Sequence, residues 1–237
     1  MATDGAYIQC LKACITPDFV ITLDPHPTRM VRWFGDPDFE RNSEEDDYFT
    51  RTAGDFQALA DNAADIALVD AHRAPLIIAT TAPQNVVART AAFDRYWFAP
   101  LVDAPEPGSL TRAMCEATGC PALNTGGTVG TAAWTFAHQV LRSPNIAIVG
   151  ADYGYYDDLP LERTQEWKML GDPAMFPEVD GIGRKCRTSP LYYWYAQNFK
   201  ALLDAADARI TNCSQHGILR GDRIACMSIE EWLKSCS

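Results

Sequence analysis

Asn124-Thr125-Gly126-Gly127-Thr128-Val129-Gly130 is the stretch on which the fold is read. Two adjacent glycines make a turn that feeds a segment with helical spacing. Ala132, Ala133, Phe136, Ala137, Val140 and Leu141 recur on one face of a helix predicted over Thr128–Leu141. A glycine turn that opens a helix exposes backbone N–H groups at the positive end of the helix dipole. Phosphate and carboxylate groups bind at such places. Gly126 and Gly127 carry no side chain to block close approach, and the hydroxyls of Thr125 and Thr128 add donors. No Lys follows, so the loop is not a P-loop, and it does not read G-x-G-x-x-G either. The plain alternative is a tight helix cap with no ligand.

Working outward, Pro144 ends the predicted helix, and Asn145–Gly150 reads as a strand with Asp152 just beyond its end. Upstream, Phe19-Val20-Ile21-Thr22-Leu23 is a β-prone run closed by Asp24. Leu76-Ile77-Ile78-Ala79 and Arg95-Tyr96-Trp97-Phe98 are two more strands. Continuous apolar runs of this kind belong to strands covered on both faces. Between them, helices are predicted over Gly5–Cys14, Ala53–Asp70, Pro83–Ala92 and Leu110–Thr118, with a helical turn at Thr28–Phe34. Ser189–Ala206 follows as a helix, Ala208–Thr211 as a late strand, and Ser228–Lys234 as a terminal helix with Ser228 and Glu231 spaced as a capping box. The alternation predicts an α/β chain: a Rossmann-like, mainly parallel sheet with helices on both faces. One domain over residues 1–237 is expected, with an acidic surface loop at 36–52 and a C-terminal strand-loop-helix at 208–237.

The chain has 31 acidic residues against 20 Lys and Arg, a formal charge of −11. Such a surface repels nucleic-acid backbones, so nucleic acid is not an expected partner. No run approaches the ~20 apolar residues of a membrane span. Met1-Ala2-Thr3-Asp4-Gly5 has neither the basic start nor the apolar run of a secretory leader, so a cytoplasmic location is expected. The eight cysteines form no C-x-x-C pair. No metal centre is therefore predicted, and the thiols are expected reduced and mostly buried.

Ligands of open α/β sheets bind beyond the carboxyl ends of the strands. Asp24 and Asp152 are the two strand-end acids, and both are expected to face the crevice at Gly126. There they would orient a ribose, coordinate Mg²⁺ or act as a base; the plain alternative is a loop hydrogen bond. Asp152-Tyr153-Gly154-Tyr155-Tyr156-Asp157-Asp158 adds phenols, which hold phosphate oxygens without adding charge. Arg184-Lys185-Cys186-Arg187 is the one compact basic cluster. His26 and His216 lie in turn-like segments and are candidates for general acid or base. His138 lies four residues from Trp134 on a helix and reads as structural.

Ala2-Thr3-Asp4-Gly5-Ala6, Thr16–Pro25, Asn124–Gly130, Ile146–Tyr153 and the tail Asn212–Gly221 with Met227–Glu231 come in an order that resembles one family. It contains the motility-associated-factor glycosyltransferases and the archaeal 6-hydroxymethylpterin diphosphokinases. The resemblance implies a Rossmann-like fold related to bacterial sialyltransferases. Its bacterial branch transfers sialic-acid-like (nonulosonic) sugars from CMP donors to Ser or Thr of flagellin. Its archaeal branch moves diphosphate from ATP to a pterin alcohol with Mg²⁺.

Thr22-Leu23-Asp24-Pro25 and the glycine loop look more like the bacterial branch, because the archaeal one carries further acids in both places. The resemblance thus implies a nucleotide-activated sugar as substrate, with flagellin or another protein or glycan as acceptor. Asp24, Asp152 and His216 are the implied catalytic candidates. Asp4, Gly5, Asn124, Thr125, Gly126, Gly127, Thr128, Tyr153, Tyr156 and Arg184 are the implied donor-binding residues. No cofactor is required, with Mg²⁺ reserved for the diphosphokinase alternative. A non-catalytic binding module is the third reading. The family's usual opening strand with a Gly-x-Gly-Pro-Ser-Leu loop is missing, since Met1 falls inside that region. Arg184 and Lys185 stand where related sialyltransferases carry a His.

Overall fold

The computed structural model describes residues 1–46, 55–156, 160–164 and 166–236. The chain divides into two compact units, Met1–Thr135 and Phe136–Ser237.

The first unit is built on a five-stranded parallel sheet in the order β1-β2-β3-β4-β5. Its strands are β1 (Ala2–Thr3), β2 (Val20–Thr22), β3 (Leu76–Ala79), β4 (Arg95–Pro100) and β5 (Ala122–Leu123). In register, Ala2 pairs with Val20, Val20 with Leu76 and Leu76 with Arg95. The helices are α1 (Asp4–Lys12), α2 (Phe39–Glu45), α3 (Asp55–Ala71), α4 (Gln84–Arg89), α5 (Leu110–Thr118) and α6 (Val129–Thr135). Every residue of β2 and β3 is buried, which is why both read as unbroken apolar runs. Val20, Leu76 and Ile78 join Tyr7, Leu11, Phe34, Val69, Val86 and Phe93 in the core. The Tyr7 hydroxyl, buried among them, donates to His72 O at 2.9 Å and accepts from Ala74 N at 3.2 Å. That pairing removes the cost of a buried phenol.

The acidic segment departs from its expected form. Over residues 36–46 it is not a solvated loop: α2 forms there, and Asp36, Asn42 and Asp46 are buried. The Asp36 carboxylate accepts from Asp38 N and from Asn42 Nδ2, both at 2.9 Å. Asn62, on α3, accepts from Asp36 N and donates to Asp36 O, each at 2.8 Å. Asp46 takes Arg29 Nε at 2.8 Å. A carboxylate with this many donors is stable out of water. Asp38, Glu40, Glu44 and Glu45 stay on the solvent side. Asp47 and the rest of the expected loop lie outside the described residues.

The second unit has a three-stranded parallel sheet in the order β10-β9-β6: β6 (Ala147–Ile148), β9 (Ile210–Asn212) and β10 (Ile224–Cys226). A separate antiparallel pair is made by β7 (Glu178–Asp180) and β8 (Lys185–Arg187), with Val179 opposite Cys186. Its helices are α7 (Trp167–Leu170), α8 (Pro190–Ala205) and α9 (Ile229–Ser235). Ser189 caps α8 by accepting from Tyr192 N, with Pro190 in the first turn. The capping box of Ser228 and Glu231 is formed at α9. Of the eight cysteines only Cys186 and Cys213 are buried, so the expectation of mostly buried thiols fails.

Candidate functional site

In the first unit, chemistry gathers where the parallel strands end. Asp4 opens α1 directly after β1, Thr22 closes β2, and Asp24 stands two residues beyond it. The start of α6 follows β5, and α6 packs against β1 and β2. Thr22 Oγ1 donates to Asp4 Oδ2 at 2.7 Å, and Gly5 N donates to Asp4 Oδ1 at 2.7 Å. Asp4 is only 3% exposed. Burial pushes its pKa from 3.8 up to about 6; the two hydrogen bonds oppose the rise, and the nearby charge of Asp24 adds to it. Asp24 is exposed, and its Oδ1 accepts from His26 N at 2.8 Å. The His26 ring in turn accepts from Arg29 N at 3.3 Å. Past the ends of β2 and β3 lies an open cleft of about 430 Å³ lined by Pro27, Pro83, Gln84, Asn85 and Ala88.

The glycine loop is only partly as expected. Gly126 and Gly127 have φ of 55° and 90°, a region that favours glycine. The loop's own atoms take several of its donors: Asn124 Oδ1 accepts from Gly126 N at 3.0 Å, Thr125 O from Thr128 N at 3.1 Å, and Thr128 Oγ1 from Thr131 N at 3.1 Å. Thr128 is therefore a helix cap. Among the described residues, the N–H groups of Gly127, Val129 and Gly130 find no acceptor. The helix is also shorter than predicted. It ends at Thr135, a π-helical turn occupies Phe136–Val140, and Val140 and Leu141 are exposed rather than packed.

In the second unit, Tyr156 is the centre of a cluster. The Arg184 guanidinium lies 4.0 Å over its ring, and the His216 ring stands edge-on with centroids 5.3 Å apart. Ile218 N donates to Asp152 O at 2.9 Å, and Ile182 N donates to Gly217 O at 2.7 Å, so three loops are stitched together here. Gly217, at φ 94°, permits the close pass: a Cβ there would lie 2.7 Å from the Asp152 carbonyl carbon and nearer still to its O and Cα. Tyr153 adopts φ 50°, and its carbonyl accepts from Thr188 Oγ1 at 2.9 Å.

The Tyr156 hydroxyl and His216 Nδ1 are buried with no hydrogen-bond partner among the described residues. The hydroxyl lies near the Gly217 backbone without meeting hydrogen-bond geometry. Burial first, then the charges of Asp152 and Cys186, raise the Tyr156 pKa to about 12, so the phenol remains a donor. Asp157 and Asp158 lie outside the described residues. The residue readings missed Thr22 as a partner and Glu166 altogether. Glu166 is a buried carboxyl, 4% exposed, whose pKa burial raises. A threonine two residues before a strand-end acid was a usable signal for the first. For Glu166, in an irregular polar stretch, none existed.

These features define the class. The sheet with its strand-end residues is a Rossmann-like α/β architecture. A solved structure shares that fold: a MAf glycosyltransferase from Magnetospirillum magneticum AMB-1 aligns over 95% of this chain with a TM-score of 0.58 and 16% identity. The chain spans 28% of the length of that protein. No family model matches the sequence, and no curated protein matches it. Among the described residues, no helix is long and apolar enough to cross a membrane.

Proposed function

We propose that this chain is a glycosyltransferase-type enzyme that takes a CMP-activated acidic sugar and passes it to a hydroxyl of a protein or glycan. The observation that carries the reading is the acid pair at the sheet edge: buried Asp4, held by Thr22 and Gly5, beside exposed Asp24. Burial, with the nearby charge of Asp24 adding to it, raises the Asp4 pKa to about 6, so this carboxyl can exchange a proton near neutral pH. In the transfer step, the acceptor O–H gives its proton to Asp24, with the buried Asp4 carboxyl nearby. The acceptor oxygen bonds to the sugar's anomeric carbon, and the bond from that carbon to the phosphate oxygen of CMP breaks. A positioned carboxylate base of this kind contributes roughly 10²- to 10⁴-fold.

Support also comes from the fold shared with a glycosyltransferase. The unpaired amides of Gly127, Val129 and Gly130, with Thr125 beside them, are the first unit's candidates for a donor phosphate or carboxylate. In the second unit the Tyr156 hydroxyl, His216 and Arg184 form a separate anion-seeking cluster, with Tyr153 and Asp152 beside it; His216 is the second candidate base.

The alternative is the diphosphokinase reading, which the same acids favour, because paired carboxylates are what Mg²⁺ takes as ligands. Calorimetry with CMP, and with ATP plus Mg²⁺, separates the two. The proposal expects CMP to bind without metal, and CMP release from a CMP-activated nonulosonic sugar to fall at least about 100-fold in Asp24→Asn. Mg²⁺-dependent ATP binding with no response to CMP overturns it in favour of the alternative. Silence toward both nucleotides leaves the binding-module reading.

A further inference from the structure

We infer that the second unit carries an additional site, for an anionic monosaccharide, in the cleft between α8, β7 and the chain leading into β10. The cleft measures about 450 Å³, the size of small-molecule sites. Tyr193, Gln197 and Lys200 enter it from α8, where spacings of four and three residues put them on one helix face. Val179 and Ile218 give an apolar floor, and Arg220 closes the far side.

Charge is the first part of the argument. The chain has an acidic excess, and several of its exposed cations find carboxylates: Lys12 with Asp65, Lys185 with Glu178, Arg112 with Glu116, Arg223 with Asp204 and Asp207. Lys200 and Arg220 do not. Among the described residues, no carboxylate lies within ion-pair distance of either, and Arg220 has only the carbonyl of Asp180, at 3.3 Å. The two cations instead oppose each other, with burial and the Arg220 charge lowering the Lys200 pKa. A like-charged pair kept without a counter-ion in an acid-rich surface is an electrostatic cost that a bound anion relieves.

The rest of the lining selects among anions. Tyr193 is 52% exposed and offers an aromatic face to a sugar ring. The Gln197 amide and the Asp180 carboxylate supply donors and acceptors for hydroxyls. A bare inorganic anion would use only the cations. A carboxylated or phosphorylated sugar uses the whole lining. This site is separate from the acid pair of the first unit and stands whether or not that pair transfers sugar.

The test is ligand-observed NMR on the full chain with glucuronate, glucose 6-phosphate, glucose and inorganic phosphate, run on the wild type and on Lys200→Gln, Arg220→Gln and Tyr193→Ala. The expected result is binding of at least one anionic sugar and no binding of glucose. Each of the three substitutions should weaken that binding about tenfold or more, with the melting temperature unchanged because all three side chains border solvent. The preferred sugar, glucuronate or glucose 6-phosphate, tells a carboxylate site from a phosphate site. Binding of neither sugar, binding indifferent to the substitutions in folded variants, or phosphate bound as tightly as glucose 6-phosphate overturns the inference.

Discussion

Replacing Asp4 by Asn tests the physical basis of the acid pair without any substrate. In the folded protein the Asp4 pKa is raised from 3.8 to about 6. The folded state therefore holds this proton more tightly than the unfolded chain does. Its contribution to stability is complete below about pH 3.8 and is lost as the pH climbs through about 6. At about 1.4 kcal/mol per pKa unit, the whole effect is on the order of 3 kcal/mol, and about half of it falls between about pH 5 and pH 8. Asn has no such proton.

Asn can still accept from Gly5 N through its oxygen, while its amide faces a Thr22 hydroxyl that is able to accept. Urea unfolding of wild type and variant at about pH 5 and pH 8 then isolates the group, since all other titrations cancel in the difference. The stability gap should move toward the variant by about 1.5 kcal/mol between the two pH values. Asp24→Asn is the second arm: without the neighbouring charge, the wild-type pH dependence should shrink but not vanish, because burial is the larger cause. A gap that stays constant with pH, or moves toward the wild type, refutes the argument that burial holds a proton on Asp4.

Two further predictions concern the second unit. Gly217→Ala forces a side chain onto the Asp152 backbone at a positive φ, and should cost about 2–5 kcal/mol by thermal or denaturant unfolding; a variant within about 0.5 kcal/mol of wild type would show that the loop relaxes freely. Tyr156→Phe removes a buried hydroxyl that has no partner among the described residues, so stability should hold or rise slightly. A loss of more than about 1 kcal/mol would mean that the hydroxyl is satisfied in the folded protein. On the proposed function, the same variant should lose affinity for the donor.

The parts of this structure visible from the residues are those whose causes are local. Leu76–Ala79 is a strand with the bounds its apolar run suggests, and the Ser228–Glu231 box appears as spaced. What escaped was decided at a distance. β1 and β5 are two residues each and exist because longer neighbours offer them hydrogen bonds. Asp36 and Asp46 look like solvated charges until Asn62 and Arg29, 26 and 17 residues away, are folded against them.

The glycine loop is the instructive case, because its composition supports two opposite readings equally well. Asn and Thr beside a helix start are the residues that hold a ligand's oxygen, and they are also the residues that cap the helix with their own. Only geometry separates the two, and it gives Thr128 to the helix cap and Asn124 to the loop's own turn at Gly126. The weight of a catalytic reading in the first unit thus shifts from donors to acids. A buried carboxyl that keeps its acid–base capacity near neutral pH has a cost to the fold that a cap does not. Asn at position 4 would keep the Gly5 hydrogen bond but replace the oxygen that accepts from Thr22 with an amide, so the pH dependence of the Asp4→Asn stability difference is what separates the held proton from the hydrogen bonds.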